Sequence, residues 1–192
     1  MLLAGKGALV PTDEELVAAF RHSGQKQHLD DLVRRHITGV RCMIYQMVLD
    51  DNDADDLTQE VFLRAIRGLG RFKGDARFGT WLYRVAMNTT YSFLARRKRS
   101  PIDPVAEVPE GADSRNSRPE NLAMQNELDQ TVRAALEALS PSLRAAIGLT
   151  TLQGLGIKEA ARIEGCTTAT MYWRIHQARK ILWERLARHL SP

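Results

Sequence analysis

A chain of 192 residues, 44% hydrophobic and 26% charged, can bury one ordinary core or two small ones and is too apolar for a disordered segment. Cys42 and Cys166 lie too far apart in sequence for a Cys-x-x-Cys metal or redox pair, no run approaches the ~20 apolar residues of a membrane span, and the mildly apolar Met1–Val10 lacks the core and cleavage site of a signal peptide, so a reducing cytoplasm fits best. The net charge of +4 hides an uneven spread: 16 basic and 12 acidic residues over 1–100, 3 and 8 over 101–138, 8 and 3 over 139–192. Two basic blocks flanking an acidic middle attract polyanions, nucleic acid first among them, although solvated helix faces would give the same totals.

Strand signals are nearly absent and helical periodicity is everywhere, so the fold class is all-α. Thr12 with Glu15 makes a capping-box pattern that opens a helix reaching about Arg21. A second helix spans about Leu29 to Leu49, with Leu32, Val33, Ile37, Val40, Ile44 and Val48 on one side. The acidic run Asp50–Asp56 starts as a turn and leads into a helix from about Asp53 to Leu69, where carboxylates suit the positive end of the helix dipole. A short loop, Arg71–Phe78, precedes a long helix over about Gly79 to Arg99. Ser100–Pro119 carries four prolines and no apolar period, and reads as an acidic, flexible linker. Helices resume over about Glu120–Leu139, Pro141–Leu152, Ile157–Glu164 and Thr168–Leu190. The expectation is two small helical domains, 1–99 and 120–192, tethered by 100–119.

The last two helices have the spacing of a helix-turn-helix. Gly165 supplies a left-handed corner, Ala161 is small enough for close approach, and the Thr168 hydroxyl is placed to cap the second helix. Met171, Ile175, Ala178, Leu182 and Leu186 form an inward stripe. Tyr172, Trp173, His176 and Gln177 lie outside it near the N-terminal half, with Arg174, Arg179 and Lys180 adding charge. Recognition helices meet base edges with this part and phosphates with flanking cations; a plain helical hairpin is the competing reading.

A second basic element lies earlier. Arg96, Arg97, Lys98 and Arg99 end the long helix, more cations than a helix C-terminus requires. Arg84 and Asn88 share a face of that helix beside the loop, where Phe72, Lys73, Arg77 and Phe78 interleave cations with aromatics. Such a site suits unstacked single-stranded bases, with Trp81 divided between core and ligand roles. The helix before it presents Asp56, Gln59, Glu60 and Arg67, with Leu63 exposed among them. An acidic face beside a DNA reader suits a protein partner, or plain solvation.

Asp55-Asp56-Leu57-Thr58-Gln59-Glu60-Val61-Phe62, followed by Phe78-Gly79-Thr80-Trp81-Leu82-Tyr83-Arg84-Val85-Ala86-Met87-Asn88, resembles region 2 of bacterial sigma factors. Leu139-Ser140-Pro141 with Arg144, and the helix-turn-helix, resemble region 4, and the short two-domain form resembles the extracytoplasmic-function group of the sigma-70 family. The resemblance implies that Asp56, Gln59, Glu60 and Leu63 dock on the clamp helices of core RNA polymerase. It implies that Phe72, Lys73, Arg77, Phe78, Arg84, Asn88, Arg96, Arg97 and Lys98 serve the promoter −10 element, with a flipped base held beside the loop. Tyr172, Trp173, Arg174, His176, Gln177 and Arg179 would serve the −35 element. It implies no cofactor, metal, catalysis, small-molecule substrate or membrane insertion, and an anti-sigma factor, soluble or membrane-bound, as the source of control. Two features depart from the family's habit: Tyr172, Trp173 and Gln177 where small or basic residues are common, and Ala160 where Ile is usual, which should loosen the first motif helix slightly.

A stand-alone helix-turn-helix regulator would account for the C-terminal segment alone. An enzyme has little support, because the five histidines show no metal-ligand spacing and neither a phosphate loop nor a nucleophile elbow occurs.

Overall fold

Local chemistry sets each helix end in the computed structural model, which describes residues 10–99 and 130–190. Helix α1 (Asp13–Ser23) opens on the reciprocal cap that the sequence announces. The Thr12 amide donates to Glu15 Oε2 at 2.7 Å and the Glu15 amide to Thr12 Oγ1 at 3.2 Å. Gly24, left-handed at φ 67°, ends it. Helix α2 (Lys26–Val48) buries Leu32, Val40, Met43, Ile44, Met47 and Val48. Ile37, expected on the inward side, is 41% exposed, because the buried stripe drifts to include Met43 and Met47. Leu49 closes α2 at φ 58°, a left-handed conformation costly for a side-chain-bearing residue and held here by burial to 4% exposure.

Helix α3 (Asp51–Gly68) starts two residues before the expected position. Asp50 is its cap, accepting from the Asp53 amide at 2.9 Å, so the acidic run is first turn rather than loop. A 3₁₀ turn (Leu69–Arg71) leads to the loop before α4 (Phe78–Arg99). The expected linker, Ser100–Pro119, lies outside the described residues, as does the first half of the helix expected from Glu120; α5 (130–137) lies in its described half. Then come α6 (Pro141–Ile147), which continues as a π-helical turn (Gly148–Leu152), α7 (Ile157–Glu164) and α8 (Thr168–Leu190). No helix among the described residues is long and apolar enough to cross a membrane.

In the first half α2 is the hub, packed against α1, α3 and α4; in the second, α8 rests on α6 and α7. The halves are not held apart. Helix α2 packs on α6 and the π-helical turn, and α4 packs along α7. One buried apolar cluster runs from Leu16 and Val17 to Ile175 and Ala178 without a break at this seam. Burying each Leu or Met in it is worth about 1.5–3 kcal/mol. Arg144 crosses the seam, donating to the Met47 carbonyl at 2.9 Å and the Leu139 carbonyl at 3.2 Å, and its burial lowers its pKa. Gln153 Nε2 donates to the Gly39 carbonyl at 3.1 Å while Gln153 Oε1 accepts from Tyr83 at 2.5 Å. A Cβ at Gly39 would stand 2.6 Å from the Tyr83 hydroxyl and 2.9 Å from Gln153 Oε1, so a side chain there would force both to shift.

Candidate nucleic-acid interface

Three surfaces carry the residues singled out from sequence. On α3, Ala54, Leu57, Thr58, Val61 and Ala65 face inward. This leaves Asp56 and Gln59 exposed, Leu63 54% exposed and Glu60 half-buried. Much of the neighbouring acid is already committed. Asp51 and Asp55 both hold Arg41, at 2.9 and 2.5 Å, and Asp53 holds Arg97 at 2.8 Å. The Arg41 bond keeps the Asp55 carboxyl below the usual range, whereas burial, aided by Asp50, raises that of Asp53. Glu60 pairs with Arg64 one turn on, at 2.5 Å. Among the described residues Asp56 makes no ion pair, so its carboxylate is uncommitted on this face.

The second surface is the loop before α4 with the outer side of α4. Arg21 clamps the loop by donating to the carbonyls of Leu69 and Phe72. Glu14 accepts from the Phe78 amide at 2.9 Å. Phe72 and Phe78 are 6% and 3% exposed. Their rings meet at right angles with centroids 5.9 Å apart, and Trp81 lies against both, at 5.3 and 5.7 Å. These rings build the loop from within, and the outside is left to Lys73, Arg77, Arg84 and Asn88, all exposed. Trp81 takes mainly the core role, yet with Arg84 it also lines two neighbouring recesses. Arg71, Phe72, Lys73 and Asp75 complete one; Asn88, Glu164 and Gly165 help complete the other. Arg96 and Lys98 project from the end of α4, while Arg97 is the residue tied to Asp53.

The third surface is the corner between α7 and α8. Gly165 adopts φ 63°, ψ 31°, the left-handed corner expected of it. The cap of α8 is Thr167, one residue before the expected Thr168, accepting from the Thr170 amide at 3.1 Å. Ala160 and Ala161 are both buried, and α7 packs against α4 as well as α8. The short side chain at 160 therefore serves approach on two sides rather than loosening the motif. Met171, Ile175 and Ala178 face inward. Tyr172 and Trp173 are each 59% exposed, His176 and Arg179 are exposed, and Gln177 is half-buried.

Arg174 is placed differently from its neighbours. It donates to Glu164 Oε2 at 2.6 Å, and that carboxylate, whose side chain is only 2% exposed, also accepts from Tyr91 of α4 at 3.0 Å. Burial raises the Glu164 pKa above the ordinary 4.5 against the opposing pull of Tyr91 and Arg174. Burial and that carboxylate together push the Tyr91 hydroxyl well above the tyrosine range. Trp183, 71% exposed on the Tyr172–His176–Arg179 side of α8, was not singled out from sequence. Its spacing of eleven residues from Tyr172 is the signal that would have found it.

A helical two-part molecule with an acidic outer helix, a cation-lined loop and a helix-turn-helix has the make-up of a promoter-recognition factor. Family models match it in the same order: Sigma-70 region 2 over residues 32–100 and Sigma-70, region 4 over residues 129–182. The RNA polymerase sigma-H factor of Pseudomonas aeruginosa is 34% identical over 177 residues, covering 88% of this chain and 91% of that protein. The ECF RNA polymerase sigma-E factor of Escherichia coli is 36% identical over 178 residues, covering 89% and 92%. The chain belongs to the sigma-70 family, in its extracytoplasmic-function group. Among solved structures, CnrH in complex with the cytosolic domain of CnrY matches 92% of this chain and 98% of its own, at a TM-score of 0.68 and 25% identity. RpoE from a complex with the anti-sigma factor NepR of Bartonella quintana has the same fold, at a TM-score of 0.67, 24% identity and coverage of 85% and 98%.

Proposed function

We propose that this protein is an alternative sigma factor acting in the cytoplasm: it binds core RNA polymerase, directs it to a particular set of promoters, does no covalent chemistry itself, and is restrained by an anti-sigma protein. The observation that carries the reading is the occurrence of both regions in one chain, in order, with relatives aligned over about nine-tenths of its length. A stand-alone regulator would have no use for the α3 face or the cationic loop.

The exposure of these three surfaces supports a division of labour. Asp56, Gln59, Glu60 and Leu63 dock on polymerase, a charged rim around one apolar contact. Tyr172 and Trp173 touch thymine methyls in the −35 major groove, Gln177 pairs with adenine, and His176 lies beside them; Arg179 holds a phosphate. Lys73, Arg77, Arg84, Asn88, Arg96 and Lys98 take the melted −10 strand. A flipped base leaves the stack at a cost of roughly a few kcal/mol, offset by its new contacts. Phe72 and Phe78 support that pocket from beneath, and Arg97 and Arg174 hold secondary structure in place. Binding of promoter DNA with and without core polymerase tests the reading. Selective promoter binding and opening should require core, whereas equally selective duplex binding by the chain alone would favour the stand-alone regulator.

A further inference from the structure

We infer that α8 carries its DNA-binding surface past the base-reading residues: Trp183 rests on the sugar–phosphate backbone at the rim of the −35 major groove, with Lys180 beside it on a phosphate. The inference rests on the sigma-factor reading above and adds two positioning residues to it. Neither belongs to the −35 set that the resemblance implies.

Helix geometry puts Trp183 in line with that set. Tyr172, His176, Arg179 and Trp183 follow one another by 4, 3 and 4 positions, so they form one row along α8. All four are exposed, and Trp183 at 71% is more exposed than Tyr172 or Trp173 at 59%. Among the described residues the Trp183 ring stacks on nothing and its indole N–H has no acceptor. Arg179 and Lys180, also exposed, make no ion pair among the described residues. One exposed apolar side chain alone would mean little. This one continues a row already assigned to DNA, with two uncommitted cations next to it.

Distance decides which part of the DNA it meets. Trp173 and Gln177 are about 6 Å apart along the helix axis, within a major groove about 12 Å wide. Trp183 lies about 9 Å beyond Gln177 and about 16 Å from Tyr172, farther than the groove extends. A helix that sets Tyr172–Gln177 on base edges therefore brings Trp183 to the strand bordering the groove. Deoxyribose and phosphate stand there, and an indole suits both: its ring packs on the sugar carbons and its N–H donates to a phosphate oxygen. Charge agrees. The Trp183 row holds no carboxylate, and Glu184 lies on the neighbouring Trp173–Gln177–Lys180 row, one turn beyond Lys180. Contacts to sugar and phosphate fix the register of a reading helix without reading bases. Trp183 thus adds affinity for any flanking sequence and sets how Trp173 and Gln177 meet theirs.

The test uses the holoenzyme and a promoter mapped by in vitro transcription. Hydroxyl-radical cleavage reads access to each sugar, and fluorescence anisotropy reads affinity for the −35 duplex. The parent should protect sugars just outside the base-read stretch, and Trp183→Ala should lose that protection while keeping the rest of the footprint. Its affinity should fall about three- to tenfold, the worth of one hydrogen bond, and by the same factor on duplexes with single base substitutions. Trp183→Phe, which keeps a ring but no N–H, should retain the sugar protection and lose only part of the affinity. Lys180→Ala should reduce the salt dependence of binding by about one counterion, whereas Trp183→Ala should leave it unchanged. Thermal unfolding of Trp183→Ala should match the parent, as expected for an exposed side chain. Unchanged sugar protection and affinity in Trp183→Ala would overturn the inference. So would weakened co-purification with core polymerase at full −35 affinity, which would place the row against a protein; both outcomes leave the sigma-factor reading intact. A parent holoenzyme with no −35 footprint on any mapped promoter would remove that reading and the inference with it.

Discussion

Glu164 shows how one carboxylate can hold two elements together. It caps off a buried site with Arg174 from α8 on one side and Tyr91 from α4 on the other. Because burial raises its pKa above 4.5, the folded state binds this proton more tightly than the unfolded chain does. The resulting stabilisation is complete below the ordinary value and is lost as pH rises through the raised one. Urea unfolding of the parent and of Glu164→Gln should therefore differ in pH dependence across that window, the parent losing stability relative to the variant as pH rises. Parallel curves would show that this carboxyl does not titrate abnormally. The same site separates two arginines that sequence had grouped. Arg174→Ala strands a buried carboxylate and should cost about 1–3 kcal/mol of stability. Arg179→Ala should leave stability unchanged and reduce the salt dependence of −35 binding by about one counterion. Trp173→Ala and Gln177→Ala should each relax −35 selection by about 1–3 kcal/mol per lost base contact, measured on duplexes with single substitutions.

At the level of elements, α3 shows how a run of acids is divided between folding and binding. Asp50 caps, Asp51 and Asp55 hold Arg41, Asp53 holds Arg97, and Asp56 faces out. Two variants should therefore separate cleanly. Asp50→Ala should lower thermal stability by about 1 kcal/mol with core affinity intact, since only a cap is lost. Asp56→Lys should weaken co-purification with core polymerase with stability and helical content unchanged. If Asp56→Lys bound core as the parent does, docking would have to lie elsewhere. Most helix boundaries were legible within a residue or three, because caps and glycines are local: Thr12 with Glu15, and Gly165. The misplacements share a cause. Asp50 and Thr167 sit in runs of like residues, Asp50–Asp56 and Thr167–Thr168, where any member could serve as cap and backbone geometry chooses one. Phe72 and Phe78 read from sequence as base-stacking surface, but aromatics between cations look the same whichever way they turn, and here Arg21 and Glu14 hold the loop with its rings inward.

At the scale of the whole molecule, the two halves were legible and their seam was not. Periodicity turns Val40, Ile44 and Val48 inward; it does not say that α2 packs on α6 of the other half. Gly39 and Gly148 sit mid-helix and in a π-helical turn, where glycine is otherwise unfavourable. Both face side chains of other elements closely enough that a methyl group would collide, so they mark the seam in retrospect. The role of Arg174 escaped for the same reason, since its partner Glu164 is fixed by the corner and buried beneath α4.

The central claim is that this chain confers promoter choice on core RNA polymerase. In vitro transcription of genomic DNA by core with and without the protein, with the 5′ ends of the transcripts mapped, tests it most directly. A discrete set of start sites should appear only with the protein, sharing upstream elements at −10 and −35, and should vanish with Asp56→Lys while Asp50→Ala retains it. Start sites that do not depend on the protein, or that lack shared upstream elements, would contradict the account.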